Sequence, residues 1–303
     1  MTIQEFTCQL INDLKKELGK GETLQAVKQV GNNGIQNVSL ILSRNGKENI
    51  RIDNIKSYYE LIKSGTNLET ALTDILRLFR SQSSTKILDG NRNDFSSISS
   101  RITHRLIHYG KNIDELKDKA YIPWQEFAIT FYIIEIDAPY GIYSVPITKE
   151  DMKIWGVSTE ELYRIAAKNT PLLLPLQISS LHELIGVEIK AHPEMEGLPW
   201  ENTSEIMILS NWQEMYGASV ILYEGVLKEV ARSLNHDLYL VPLSIHEMLV
   251  VSSQYADQDE LREWHRSSLQ FLQNKEHWLS NEIYMYRLEY EDLIWVPEKH
   301  LLS

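Results

Sequence analysis

The chain has a single cysteine, Cys8, among its 303 residues. One thiol cannot close an internal disulfide, and the absence of any CxxC pair leaves no framework for structural zinc. Basic charge is scarce as well: 30 lysines and arginines stand against 42 aspartates and glutamates, a formal net charge of −12. So acidic a surface repels phosphate backbones and anionic lipid, which argues against nucleic-acid and membrane binding. No apolar run approaches the roughly 20 residues that span a bilayer, and the longest, 128–134 and 171–176, have the length of core segments. The first twenty residues scatter their charges rather than setting a basic end before an apolar stretch, so no secretory leader is expected and a cytoplasmic location is. The common catalytic signatures are missing too: there is no GxGxxG, GxxxxGK[ST] or GxSxG, and no Cys–His pair in a reactive context.

What is present is ordinary for a globular protein, 43% hydrophobic and 24% charged residues. Thr2 and Glu5 have the spacing of a capping box, and Phe6, Leu10, Leu14 and Leu18 follow at helical period until Gly19. Arg44-Asn45-Gly46 between apolar residues 38–42 and 50–52 predicts a hairpin. Residues 58–63 read as a short helix ended by Gly65, and Thr66 with Glu69 opens another through Ile75 and Phe79. Residues 81–100, rich in Ser, Asn and Asp, read as a loop.

The middle third predicts strands at 98–108, 127–136 and 143–147, with Pro139 in the turn between the last two. Ser158 and Glu161 open a helix that Pro171 should stop near Asn169. Residues 192–202, with two prolines and a glycine, read as a loop. In the last third, Leu222, Val226, Val230 and Leu234 predict one amphipathic helix over 217–234. Apolar strands follow at 238–241 and 248–251, then a helix capped by Asp257 and Glu260 with Leu261, Trp264, Ser268 and Leu272 inward, then strands at 283–288 and 293–296.

With the strand at 206–209, this order is β-α-β-β-α-β, the ferredoxin-like split βαβ, in an α+β fold with helices on one face of antiparallel or mixed sheets. The strands at 238–241 and 248–251 are apolar almost throughout, so both faces of their sheet should be covered. Three packed subdomains are expected: 1–90 (α/β), 91–200 (α+β) and 201–303 (split βαβ).

The best candidate for chemistry is the turn after residue 241, where Ser244, His246 and Glu247 fall together. A histidine beside a carboxylate at a rigid turn can serve as base or ligand, though a turn that satisfies its own backbone explains it as well. Tyr216 and Tyr223 lie close in sequence to this region and, with His246, are the candidate binding residues. Ser180-Leu181-His182-Glu183 repeats the pattern of the turn, and both copies begin like HExxH. Gly186 and Val250 occupy the place of the second histidine, so the zinc-peptidase reading fails. His104 and His108 have i, i+4 spacing, but Arg101 and Arg105 between and before them oppose a cation. The amides of Gly217, Ala218 and Ser219 at a helix start form a weak candidate for an anion.

Four segments carry a resemblance to a family. They are the first helix with Asn32-Asn33-Gly34, Tyr58-Tyr59-Glu60 with Lys63-Ser64-Gly65, MKIWGVSTEELYRIAAKNTP at 152–171, and the run from YGASVILYEGVLKEVA to DLYLVPLSIHEMLVV at 216–251. The chain resembles domain of unknown function 5688, an uncharacterised bacterial family found mainly in clostridia. The resemblance implies a single architecture over nearly the whole length and brings no activity, cofactor or catalytic residue with it. Where the family pattern runs RLxNYxKN, this chain has RLIHYGKN, with His108 in place of the usual asparagine. The expectation is therefore a non-enzymatic protein that binds a protein or small ligand, with no cofactor and no metal. The alternative is a hydrolase of unfamiliar type using His246 with Glu247 or Ser244, and self-association through a strand edge is a third option.

Overall fold

The computed structural model describes residues 2–45, 47–52, 55–63, 65, 67–80, 92–137, 141–180, 206–270, 272 and 275–296. The divisions expected after residues 90 and 200 lie outside these, as do the turn at Pro139, the loop at 192–202 and the echo from Leu181 onward. The chain divides into two compact units, Met1–Ser99 with Ile133–Val145, and Ser100–Tyr132 with Pro146–Ser303. The fold is α+β, and the strands of its sheets pair antiparallel among the described residues. No helix among the described residues is long and apolar enough to cross a membrane.

In the first unit, Thr2 and Glu5 form the reciprocal capping box that starts α1 (Ile3–Glu17). Its apolar stripe, Phe6, Leu10 and Leu14, is fully buried against Leu40 and Leu42. Those leucines lie on β2 (Gln36–Arg44), the centre of a sheet ordered β1 (Glu22–Val30), β2, β3 (Lys47–Ile52). Helices α2 (Ile55–Lys63) and α3 (Leu68–Arg80) add Ile55, Ile75 and Leu76 to the same core. The sequence did not predict β1, whose residues are mostly exposed and carry little apolar alternation. Residues 98–101 are not strand as expected: Asp94 accepts the Ser96 amide and starts a short helix, α4 (Phe95–Ile98).

The second unit contains β4 (Ile102–His108) and β5 (Tyr121–Trp124), which flank β6 (Phe127–Asp137) in one sheet. Strand β6, whose end from Ile133 on counts with the first unit, also pairs with β7 (Gly141–Pro146). Helix α5 (Lys149–Trp155) precedes α6 (Thr159–Leu173). Helix α6 runs through Pro171 instead of stopping near Asn169. A proline in the last turn removes one hydrogen bond, not a whole ladder, and tertiary contacts hold this end. Asn169 Nδ2 donates to the Ile102 carbonyl, and the Thr170 hydroxyl accepts from the buried His104 amide.

The largest sheet is ordered β13 (Asp292–Trp295), β12 (Tyr284–Arg287), β10 (Leu238–Pro242), β11 (Met248–Ser252), β9 (Ile206–Asn211), β8 (Leu176–Ser180). Strands β10 and β11 are buried at every position. Strand β11 lies between β9 and β10, and β10 lies between β11 and β12, so each helical crossover spans one intervening antiparallel strand. The β10–β11 hairpin is thus central, whereas a ferredoxin-like order would centre the first and third strands. The expected single helix over 217–234 is two pieces, a 3-10 helix Gly217–Leu222 and α7 (Val226–Leu234). Tyr223 is extended between them, and Gly225 turns the chain at φ 80°, a region L side chains rarely adopt. Helix α8 (Gln258–Ser268) ends before Leu272, and its inner face carries Arg262 and His265 beside Leu261 and Ser268.

Candidate functional site

One end of the large sheet gathers three connections: the chain after β9, the β10–β11 turn, and a 3-10 turn Lys275–His277. The chain after β9 is shaped by Asn211, fully buried, whose side chain accepts the amides of Gln213 and Met215 and donates to the Met215 carbonyl. Two residues of this loop, Glu214 and Tyr216, sit at positive φ, 53° and 55°. For a bulky aromatic that backbone is strained by about 1–3 kcal/mol and persists because its surroundings dictate it. The next residue shows how tightly they do so. A Cβ on Gly217 would lie 2.1 Å from Ser210 Oγ and 2.4 Å from the His246 carbonyl oxygen.

The β10–β11 turn brings Ser244, His246 and Glu247 together, as the sequence suggested, but in a structural pattern. Ser244 Oγ accepts the His246 amide at 3.0 Å, and the Ser244 amide donates to the Glu247 carbonyl at 3.3 Å. The His246 carbonyl accepts from Ser210 Oγ at 2.9 Å. Its ring Nδ1 accepts the Tyr216 amide at 3.0 Å, so the neutral ring carries its proton on Nε2. Burial, then the charges of His277 and Arg105, lower the His246 pKa to about 3. An imidazole with its lone pair committed to a backbone amide is a clamp on the Tyr216 loop and has nothing left to act as a base.

His246 stands edge-on to His277, ring centroids 4.4 Å apart, and 5.6 Å from the Tyr216 ring. Tyr216 in turn covers one face of the Arg105 guanidinium at 3.9 Å, and Tyr132 covers the other at 3.8 Å. Arg105, on β4, is 6% exposed. Its guanidinium makes no hydrogen bond or ion pair among the described residues, and none of its nitrogens is among the sealed atoms left without a partner. Tyr132, Tyr216, His246 and His277 are half-buried around it. Burial raises the Tyr216 phenol above its ordinary pKa; Arg105 offsets part of this, while Tyr132, Glu276 and Glu115 add to it.

The third expected binding residue, Tyr223, is elsewhere. Its hydroxyl donates to the Leu174 carbonyl at 2.8 Å, and its ring meets His104 at 6.0 Å. Alternation along β4 sends His104 away from Arg105, to a site between Tyr163 and Tyr223. There both ring nitrogens lack a partner among the described residues, and burial lowers the pKa to about 4. His108 faces Glu126 at 3.5 Å and lies over Trp278. Glu126 also accepts the Ser280 and Tyr284 hydroxyls; burial pushes its carboxyl up, but His108 first, then these two hydroxyls, hold it below the ordinary range. His108 Nδ1 accepts the Lys111 amide, so this cluster too has a committed histidine. At Gly217, Ala218 and Ser219 the amides of the last two donate to the Ile245 and Tyr216 carbonyls, which leaves none of that pair for an anion.

Of the cavities, one of about 370 Å³ is lined by Lys119, Lys149 and Lys153 with Tyr121, Met152 and Val157. Each ammonium is already engaged: Lys119 with Glu115, Lys153 with Glu150, and Lys149 with the Lys117 carbonyl. Among the described residues, the arginine stack therefore stands out as a place where a buried charged group is held without an internal partner. From the sequence, Arg105 reads as a charge opposing a metal and as part of a basic stretch with Arg101, Lys111, Lys117 and Lys119. Asp114, Glu115 and Asp118 interrupt that stretch, which reads as a solvated face rather than a phosphate site; the burial of Arg105 corrects that expectation. The available signal was a charged residue in the middle of Ile102–His108, the part of the predicted strand that carries no other arginine, lysine or carboxylate, since such a residue is almost never fully buried unless paired.

Fold and site together describe an α+β protein in which His246 and His108 serve loop amides and a buried arginine is braced between two tyrosines. The family model for DUF5688, a family of unknown function, matches residues 3–288, and the chain belongs to that family. No curated protein and no solved structure matches it.

Proposed function

We propose that this chain is a non-enzymatic binding protein, and that its ligand is a small molecule seated at Arg105, Tyr132 and Tyr216. One observation carries the reading. A guanidinium stacked on both faces, with no carboxylate beside it among the described residues, is held by a loop whose strained Tyr216 is fixed from three sides. Strain retained at a bulky residue points to a site whose geometry matters. The committed lone pair of His246 supports binding over hydrolysis. A reducing, cytoplasmic setting suits a chain whose one cysteine, Cys8, is an exposed thiol.

The test is a thermal-shift screen of neutral, cationic and anionic metabolites, with each hit repeated on Tyr216→Ala and followed for turnover. Hits that stabilise the wild type, lose their effect in the variant and are recovered unchanged support the reading. A screen with no hit, or a hit hydrolysed by wild type and not by a folded His246→Ala, overturns it.

A further inference from the structure

We infer that the group recognised at this site is an oxoanion, a carboxylate or phosphate carried by the ligand and held in the plane of the Arg105 guanidinium. This rests on the binding reading above and goes further by naming the chemistry. Tyr132 and Tyr216 close the two faces of the guanidinium at 3.8 and 3.9 Å, so it can be approached only at its edge. That edge carries N–H donors in a planar fork and no acceptor, and its natural partner is a pair of anionic oxygens accepting two parallel hydrogen bonds.

Such a partner is missing among the described residues, although the side chain is nine-tenths buried. None of its nitrogens is among the sealed atoms left without a partner, so its edge stays open to water, and cation–π contact contributes only about 0.5–2 kcal/mol. The surrounding groups suit an anion. His277 and the neutral His246 border the stack, and Tyr216 presents a phenol kept protonated by burial. Glu276 and Glu115 also act on Tyr216, and Glu115 is paired with Lys119. A neutral ligand would leave the fork unsatisfied, and a cationic one would be repelled. In a chain of net charge −12, the site singles out an anion against the general field of the molecule.

The experiment titrates the full chain with sodium acetate and, separately, with inorganic phosphate, against chloride at matched ionic strength, following the side-chain N–H resonances of arginine by NMR. The Arg105 signals, assigned by their absence from Arg105→Met, should shift saturably with at least one of the two anions and not with chloride. The stronger of the two identifies the ligand as a carboxylate or as a phosphate ester. In Arg105→Met the affinity, read by thermal shift, should fall roughly tenfold or more, the usual scale for a charged hydrogen bond. Arg105→Lys, which keeps the charge without the fork, should fall nearly as far.

The wild-type titration does not depend on the variants folding with full stability. If neither anion moves the Arg105 signals beyond the chloride control while neutral hits from the metabolite screen still depend on Tyr216, the oxoanion inference is overturned and the binding reading survives. If no compound of any charge binds, the binding reading falls and this one with it.

Discussion

Gly217 is the residue on which the site's geometry turns. A methyl group there would collide with Ser210 Oγ, the His246 carbonyl and the Asn211 amide at 2.1, 2.4 and 2.8 Å. Two of those contacts are backbone, so the strand and the turn must separate to admit it. Gly217→Ala should cost about 3 kcal/mol of stability, on the scale of severe overpacking, as read by urea unfolding; a variant within 0.5 kcal/mol of wild type, taking roughly the error of such a measurement, would contradict the close approach. His104 offers the opposite case. Its ring is buried between Tyr163 and Tyr223 with neither nitrogen bonded among the described residues. His104→Phe keeps a ring in place and removes two unsatisfied polar atoms, so the expected outcome at neutral pH is a stability equal to or about 1 kcal/mol above wild type, checked by the same unfolding curves.

At the scale of elements, polar side chains between secondary structures fix the second unit as firmly as its apolar core does. Glu126, at the β5–β6 turn, collects hydroxyls from Ser280 and Tyr284 and so ties that hairpin to the strands near the C-terminus. Arg262 on α8, 4% exposed, donates to Glu282 at 3.0 Å and to the Val296 carbonyl at 2.6 Å, and Trp295 Nε1 joins the same carboxylate. Removing one partner of such a pair leaves a buried charge, while replacing both can be nearly neutral. Glu282→Ala should therefore cost about 2 kcal/mol, less than a fully buried pair because the carboxylate is a third exposed. The double variant Arg262→Met with Glu282→Ala should recover more than half of that loss. A double-mutant cycle with no coupling would remove the pair from the account of how α8 docks.

For the whole molecule, three histidines among the described residues whose pKa is lowered, His104, His246 and His265, set the response to acid. His104 and His265 are held at about 4 and His246 at about 3, in each case with burial as the leading cause, against an ordinary value near 6.5. All three are neutral in the folded chain at pH 7. As pH falls below about 6.5 the unfolded chain binds a proton at each, and the folded chain does not until far lower. Their contribution is therefore present in full above pH 6.5 and is lost on acidification, at up to about 1.4 kcal/mol per pH unit for each histidine. Glu126, whose carboxyl is held low, adds to the same trend at more acidic pH. Unfolding midpoints in urea at pH 7.5, 6.0 and 5.0 should fall monotonically, and His104→Phe should shallow the slope by about one histidine's share. A flat profile between pH 7.5 and 5.0 would contradict buried neutral imidazoles.

Much of the element plan was legible in the chain because it rests on local rules. The Thr2–Glu5 box, the Asn45 turn, the doubly buried β10 and β11, and Asp257 as a helix cap all follow from spacing within a few residues. Misreadings occurred where distant contacts overrode those rules. Strand β1 is held by pairing with β2 in spite of its exposed sequence, and α6 passes Pro171 because β4 grips its end. The helix expected over 217–234 breaks where Gly225 reverses the chain. For the site, the sequence brought Ser244, His246 and Glu247 to one turn by adjacency and marked Tyr216 beside it. That His246 is a clamp, that Tyr223 belongs to another cluster, and that Arg105 and Tyr132 complete the stack depend on β4, β6 and three loops meeting in space. The sequence alone determined the class, the caps and the apolar strands, since these are decided between near neighbours. Which charged group lacks a partner was left to the tertiary structure, because pairing depends on what lies across the fold.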